Sequence, residues 1–459
     1  MGNMVIVTHW LDGDVIPFVR IGKELKQRGH DVTLITHCHF EKVAREAGLD
    51  FRAWDTPEEY ALLVEEMKGN KTDNSKENSY SFENSEFKQR YESNETRLKE
   101  FNIIAECCKR KDTVLLCKNR SSIAAYLVAE KFKLPLATVM MNPAEIESML
   151  LYEQLEGKND LPRLNELRSA VNLSSVGSWL QWESSAKKTF ALWPNWYDTA
   201  SEEWPSKIEA VGFPLEKGKE ETKKEVPEKF KVWLKKNPNP VVITGGTTKC
   251  INDKFYSSSI SACGMSGKPT VVLTRYKEFL PKKLPDNVVW YDYLPLDMIM
   301  PKLGLIIHHG GMGTLSGALS AGIPQLILPC YVDRPHNANL INKLGVGDFL
   351  YPVNWQPDKI LSMMNNLQDD QIKNNCMKYV LKMKNNVGIT NIADRVEEMA
   401  KDKKYIYSIN SQYKIPVKLS GEHTSNNSQP KIKDLNQRLS NEQRARLLVN
   451  LRRREESRR

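Results

Sequence analysis

The sequence has no run of eighteen apolar residues, so nothing in it calls for a membrane-spanning helix. None of its eight cysteines forms a C-x-x-C pair, which leaves out a zinc ribbon and a thioredoxin-like redox motif. They sit mostly inside apolar runs, as in Val114-Leu115-Leu116-Cys117, the pattern of reduced structural thiols. Met1 leads almost at once into a strand pattern without the layout of a signal peptide, and Ile6 stands where myristoylation of Gly2 requires Ser or Thr. A strong charge imbalance is missing as well. The formal net charge is +9, and ten Lys/Arg against four Asp/Glu between Lys431 and Arg459 supply +6 of it. The remainder is too small for a nucleic-acid-binding face. These absences together lead to the expectation of a cytoplasmic protein with no nucleic-acid partner.

What the chain does have is length and apolar content, 459 residues at 40% hydrophobic, enough for more than one sizeable core. Short apolar runs read as buried parallel strands at 4–8, 31–36, 113–117, 136–141, 241–244, 271–274, 288–290, 303–307 and 325–328. Helical periodicity falls between them, at 18–28 and 122–132, and again at 230–234 and 392–400. Strand–helix–strand alternation of this kind predicts Rossmann-like α/β architecture. From Glu65 to Glu100 the chain turns polar, and 69–85 reads as a surface insertion, either a lid or a plain solvated loop. The many Leu and Trp residues from Met149 to Trp182 line an apolar pocket or simply pack. His37-Cys38-His39 has no matching Cys/His pair nearby and reads as the loop after the second strand.

The stretch Ile306-Ile307-His308-His309-Gly310-Gly311-Met312-Gly313-Thr314 organises the second half. It reads as a buried strand, a tight turn and a helix N-terminus, whose unpaired N–H groups and dipole suit a diphosphate. Gln325 to Pro329 and Tyr331-Val332-Asp333-Arg334-Pro335-His336-Asn337-Ala338 continue the pattern. This block of roughly forty residues resembles the donor-binding signature of family-1 glycosyltransferases, especially the bacterial antibiotic and macrolide branch and the sterol branch. The opening, with Gly13-Asp14-Val15-Ile16-Pro17, resembles the loop that carries the general base in the same enzymes.

The resemblance implies a GT-B fold, two Rossmann-like domains facing each other, here 1–222 for the acceptor and 223–405 for the nucleotide sugar. A basic helical tail occupies 406–459. It puts Asp14 in the role of catalytic base. Two other readings of Asp14 stay open, a cap on the following helix and a metal ligand in the D-x-D of Asp12-Gly13-Asp14. Gly246 and Thr247 are implied on the donor's phosphates, and His309 with Gly311, Gly313 and Thr314 on the diphosphate. Tyr293 falls where a tryptophan usually stacks on the base, and Asp333 on the acidic residue that holds the sugar hydroxyls. His308 is left as a structural residue. The chain departs from the pattern at Gly317, where many members have a ribose-gripping glutamate, at Arg334, where a glutamine is usual, and at Leu296, where some branches carry a glutamine. Arg334 is either a fork for an acidic sugar or a rim arginine.

The implied activity is inverting, metal-independent transfer of a hexose from a UDP- or dTDP-sugar to a hydroxyl of a lipophilic or peptide-like natural product. No metal and no cofactor are expected beyond the nucleotide-diphosphate sugar as co-substrate. Two alternatives stay open: a sugar-nucleotide epimerase of the same fold, and a non-catalytic nucleotide-sugar-binding partner of a megasynthase. The tail carries a capping-box pattern at Ser440 to Gln443 and a basic segment with Leu447, Leu448 and Leu451 on one side. It resembles, over about 20 residues, the opening helix of peptide-synthetase condensation domains. A docking helix for a peptide-synthetase or polyketide partner, a helix on an anionic membrane surface and a functionless tail are the three readings.

Overall fold

The computed structural model describes residues 1–69, 90–199, 208–215, 225–247, 253–330 and 333–409. Most of the expected surface insertion and the basic tail lie outside the described residues. The chain divides into two compact units. Of the described residues, one unit holds 1–214 together with 387–409, and the other runs from Leu215 to Asn386.

The first unit is built on seven strands: β1 (Asn3–Val7), β2 (Asp31–Thr36), β3 (Asp50–Ala53), β4 (Thr113–Lys118), β5 (Leu136–Met140), β6 (Lys188–Ala191) and β7 (Ile208–Ala210). They pair in parallel in the order β3-β2-β1-β4-β5-β6-β7. Successive residues of a strand face opposite sides of the sheet, so a strand covered on both sides must be apolar throughout. Met4 and Ile6 of β1 accordingly enter one core with Phe18, Ile21 and Leu25 of the Asp12–Gln27 helix. Val5 and Val7 enter the other, with Ile104 of the Asn94–Cys107 helix and Tyr126 of the Ile123–Phe132 helix. The Gly388–Lys401 helix returns to this unit and buries Ile392, Val396 and Met399 in the first of these cores.

The second unit repeats the plan with β8 (Val241–Thr244), β9 (Thr270–Leu273), β10 (Val288–Tyr291), β11 (Leu305–His308), β12 (Gln325–Ile327) and β13 (Gly347–Phe349). Their order is β10-β9-β8-β11-β12-β13, again all parallel. In each sheet the order reverses beside the unit's first strand, between β1 and β4 and between β8 and β11. Ligands of doubly wound sheets bind at such switch points, outside the carboxyl ends of the strands.

The helix expected from Phe18 starts earlier, at Asp12, and carries Pro17 within it. Pro17 has no N–H to give, yet the apolar stripe of Val15, Phe18, Val19 and Gly22 holds the segment on the sheet. The Leu- and Trp-rich stretch is packing: Leu164, Leu167, Trp179 and Trp182 are all buried in the second core of the first unit. Among the described residues the seven cysteines are free thiols, and no helix is long and apolar enough to cross a membrane.

Candidate active site

At the switch point of the first sheet, Asp14 sits in the opening turn of the Asp12–Gln27 helix, just beyond β1. The helix is capped by Leu11 and has no side-chain cap, so Asp14 is not the N-cap residue. Its carboxylate instead meets Lys118, the last residue of β4, with Nζ 3.1 Å from Oδ1. Thr8 holds the same turn from the strand side, its hydroxyl donating to the Asp14 carbonyl at 2.9 Å.

One strand further on, Glu145 opens the helix after β5. The Met141 amide donates to its Oε1 at 2.7 Å and the Asn142 side-chain amide at 3.3 Å, while Oε2 is buried without a partner. Burial pushes the Glu145 carboxyl up to about 7, with Asp14 adding to the rise and Lys118 and Arg120 opposing it. Glu145 is therefore protonated in a large share of molecules at neutral pH.

The loop between β1 and Asp14 is fastened by a buried polar group. His9 Nε2 lies 3.0 Å from Glu100 Oε1, and Arg97 donates to Glu100 Oε2 and to the Ser121 carbonyl, each at 3.0 Å. The His9 ring stacks on Trp54 at 4.3 Å between centroids. His37 makes its own pair with Asp55, Nδ1 to Oδ2 at 2.6 Å. Among the described residues no three or more His, Cys, Asp and Glu gather as a metal site.

In the second unit β11 ends at His308, and Gly311 precedes the Met312–Ala321 helix without any side-chain cap. The first-turn amides of Met312, Gly313 and Thr314 thus point out of the helix with no side chain closing them off. The two histidines divide their roles. His308 is fully buried; its Nδ1 accepts from the Gly310 amide (3.2 Å) and its Nε2–H donates to Gln325 Oε1 (3.0 Å). Burial holds it down to about 4, against the Gln325 bond, so it is neutral and structural.

His309 is different. Its ring occupies the space where two glycines would otherwise carry side chains. A Cβ on Gly246 would come within 2.7 Å of Cε1, and one on Gly311 within 2.5 Å of Nε2. Gly246 also has φ +85°, a second reason for glycine there. Burial, then Arg334 and His308, keep the His309 imidazole well below its usual pKa, with the Thr244 carbonyl acting the other way. It is a neutral ring with Nδ1 buried and unpartnered.

Asp333 caps the Arg334–Lys343 helix and is drawn to the same turn by Asn337, a fully buried residue. The Asn337 amide donates to Asp333 Oδ2 (2.7 Å) and to the Gly310 carbonyl (2.9 Å). Gly246, His309, Gly311, Asp333 and Arg334 are therefore brought together, with Gly313 and Thr314 in the adjoining helical turn. Thr247 follows Gly246, and its carbonyl accepts from the Tyr276 hydroxyl. Tyr293 lies two residues past the end of β10, two strands over from β8, with 40% of its surface exposed. At Gly317 a Cβ would lie 2.8 Å from Met300 Sδ, so the thioether fills the space a larger residue would need.

Residues 12–150 match the glycosyltransferase family 28 N-terminal domain, and residues 270–399 match the erythromycin biosynthesis protein CIII-like C-terminal domain. Each unit thus carries a stretch similar to a domain of known glycosyltransferases or of antibiotic biosynthesis. A sterol 3-beta-glucosyltransferase of Arabidopsis thaliana is 24% identical over 407 residues, covering 82% of this chain and 62% of the relative. An aclacinomycin-T 2-deoxy-L-fucose transferase of Streptomyces galilaeus is 35% identical over 105 residues, 22% of this chain and 24% of that one. The chain thus spans less than two thirds of the length of these curated relatives. Among solved structures, the spinosyn forosaminyltransferase superposes with a TM-score of 0.66 at 16% identity, over 87% of this chain and 100% of that one, and shares the fold.

Sequence reasoning missed Lys118, Glu145, Asn337 and the buried group of His9, Arg97 and Glu100. Lys118 closes an apolar strand, where a lysine is an ordinary end signal, and nothing in its spacing points to Asp14. A charged residue at the carboxyl end of a strand beside the switch point was the one available signal.

Proposed function

We propose that this glycosyltransferase relative moves a hexose from a UDP- or dTDP-sugar to a hydroxyl of a lipophilic acceptor, with inversion and without a metal ion. The observation that carries this reading is the neutral His309 ring set between Gly246 and Gly311, its Nδ1 unpartnered, beside the uncapped start of the Met312–Ala321 helix. That arrangement fits a diphosphate, which needs N–H donors and a positive dipole end in place of a cation. The sterol and antibiotic relatives support an apolar acceptor.

In this mechanism the acceptor oxygen attacks the anomeric carbon from the face opposite the diphosphate. The new carbon–oxygen bond forms as the bond to the phosphate oxygen breaks, and the acceptor proton passes to Asp14. His309 and the helix amides take the charge that develops on the leaving diphosphate. Arg334, close enough to act on His309, adds positive field at the same place.

The test is a panel of UDP- and dTDP-sugars assayed for slow donor hydrolysis, because it requires no acceptor. Hydrolysis of at least one member is expected; a blank panel together with no nucleotide binding by calorimetry rejects the reading. The histidine pair supplies a sharper result. His309→Ala should weaken nucleotide-sugar affinity roughly 10- to 100-fold, from loss of a charge-assisted hydrogen bond of about 1.5–3 kcal/mol. His308→Ala should lower thermal stability while leaving affinity near wild type, since its partners are Gly310 and Gln325. Equal losses of affinity in both variants would reverse the assignment.

A further inference from the structure

Three charged side chains stand on neighbouring strand connections at the switch point of the first sheet. Asp14 follows β1, Lys118 ends β4 and Glu145 follows β5, and these strands are neighbours in the order β1-β4-β5. The register places Val7 beside Cys117 and Lys118 beside Val139, so the three connections leave the sheet side by side. Lys118 is largely buried, with 13% of its side chain exposed, and its ammonium lies 3.1 Å from Asp14 Oδ1. Glu145 has one oxygen tied down and the other without a partner.

We propose that Lys118 is the positioning residue for the Asp14 base, fixing one carboxylate oxygen so that the other is presented to the acceptor, and that Glu145 shares Lys118 with Asp14. The inference rests on the reading of Asp14 as the base. A carboxylate at the start of a helix can turn about two side-chain bonds. A lysine held by the end of a strand removes that freedom, and misplacement of a reacting group by about 1 Å costs as much as 10²-fold in rate. Because Glu145 is coupled to both partners, its ionisation changes how strongly Lys118 is held by Asp14. The groups facing Glu145 are Lys118 and Arg120 from the β4 end, Asp14 from the first helix, and the Met141 amide and Asn142 from its own turn. Burial with its neighbours places the Glu145 transition at about 7, so the effect falls in the neutral range.

The experiment combines kinetics with a carboxyl titration on the full chain. Lys118→Met should lower kcat by about 10- to 100-fold with the donor KM unchanged, and Lys118→Arg should recover most of the loss. In Glu145→Gln the change of kcat with pH near neutrality should disappear. Independently of turnover, the Glu145 carbon-13 carboxyl signal, assigned by its loss in Glu145→Gln, should titrate higher in Lys118→Met, which removes a cation. It should titrate lower in Asp14→Asn, which removes an anion. Wild-type kcat in Lys118→Met, or a Glu145 titration indifferent to both substitutions, overturns the proposal. Coupled titrations in a protein that hydrolyses no donor would instead keep the cluster and reject the transferase reading. Equal loss in Lys118→Met and Lys118→Arg with a lowered melting temperature makes Lys118 structural only.

Discussion

Asp14→Asn is expected to reduce transfer by about 10²–10⁴-fold while leaving nucleotide-sugar affinity within a factor of two or so of wild type. The substitution preserves shape. An asparagine oxygen can still accept from Lys118 Nζ, now 3.1 Å from Oδ1, and the Thr8 contact is to the backbone carbonyl and survives. What disappears is the capacity to take a proton from the attacking hydroxyl. The residues proposed for the donor belong to the other unit, where His309 sits between Gly246 and Gly311. Rate and affinity should therefore separate, which uniform damage to the fold would not allow. Steady-state kcat with the best donor of the panel, beside a calorimetric Kd for its nucleotide, gives both quantities. Unchanged turnover would remove Asp14 from catalysis and leave it as a favourable charge in the first turn of a helix.

The parts of this molecule that were legible in its sequence are those with a local signature. A parallel strand buried on both faces reads as an apolar run, so β1, β2, β4, β5, β8 and β11 stood out. The glycine turn after β11 also stood out, because only glycine tolerates what happens there. Gly246 and Gly311 make the general point: each is required by the His309 ring, which one of them meets across two different strand connections. The sequence showed the glycines and the histidine but not that they touch. Short edge strands were harder. β3 alternates exposed and buried residues, and β7 has only three residues, all partly exposed, so neither carries an apolar run. Lys118, Glu145 and Arg97 were invisible for a deeper reason. Each is a common surface residue type, and its role comes from a partner between three and more than a hundred positions away, as with Lys118 and Asp14.

Buried charge pairing makes Glu100 a position where a single change should cost much of the stability. Glu100, Arg97 and His9 are each at most 3% exposed. Burial alone would raise the Glu100 carboxyl, but Arg97 and His9 outweigh it and hold it down to about 2. Burial takes His9 down to about 4 in spite of Glu100, so at neutral pH the ion pair is Glu100 with Arg97 and His9 is neutral. Glu100→Gln would keep a hydrogen bond to His9 and leave the Arg97 guanidinium without its counter-charge. Stranding one member of a buried pair costs about 3–5 kcal/mol. For a unit of this size that lowers the melting transition by roughly 10 °C. The pH dependence has a fixed sign. A carboxyl held below its unfolded value of 4.5 contributes stability that is present above pH 4.5 and lost as the pH falls toward 2. His9, depressed from 6.5 to about 4, also makes the fold less stable as the pH drops through that interval. The gap in melting temperature between wild type and Glu100→Gln should thus be widest near neutrality and narrow below about pH 4.5. Replacing both Arg97 and Glu100 with methionine should recover part of the loss, since neither charge is then left alone. Calorimetric melts of the three proteins at pH 7 and pH 4 decide it, and a Glu100→Gln variant melting with wild type at pH 7 would show that Arg97 has another counter-charge. Because Arg97 also binds the Ser121 carbonyl and His9 leads into the turn that bears Asp14, the variant should lose kcat as well as stability.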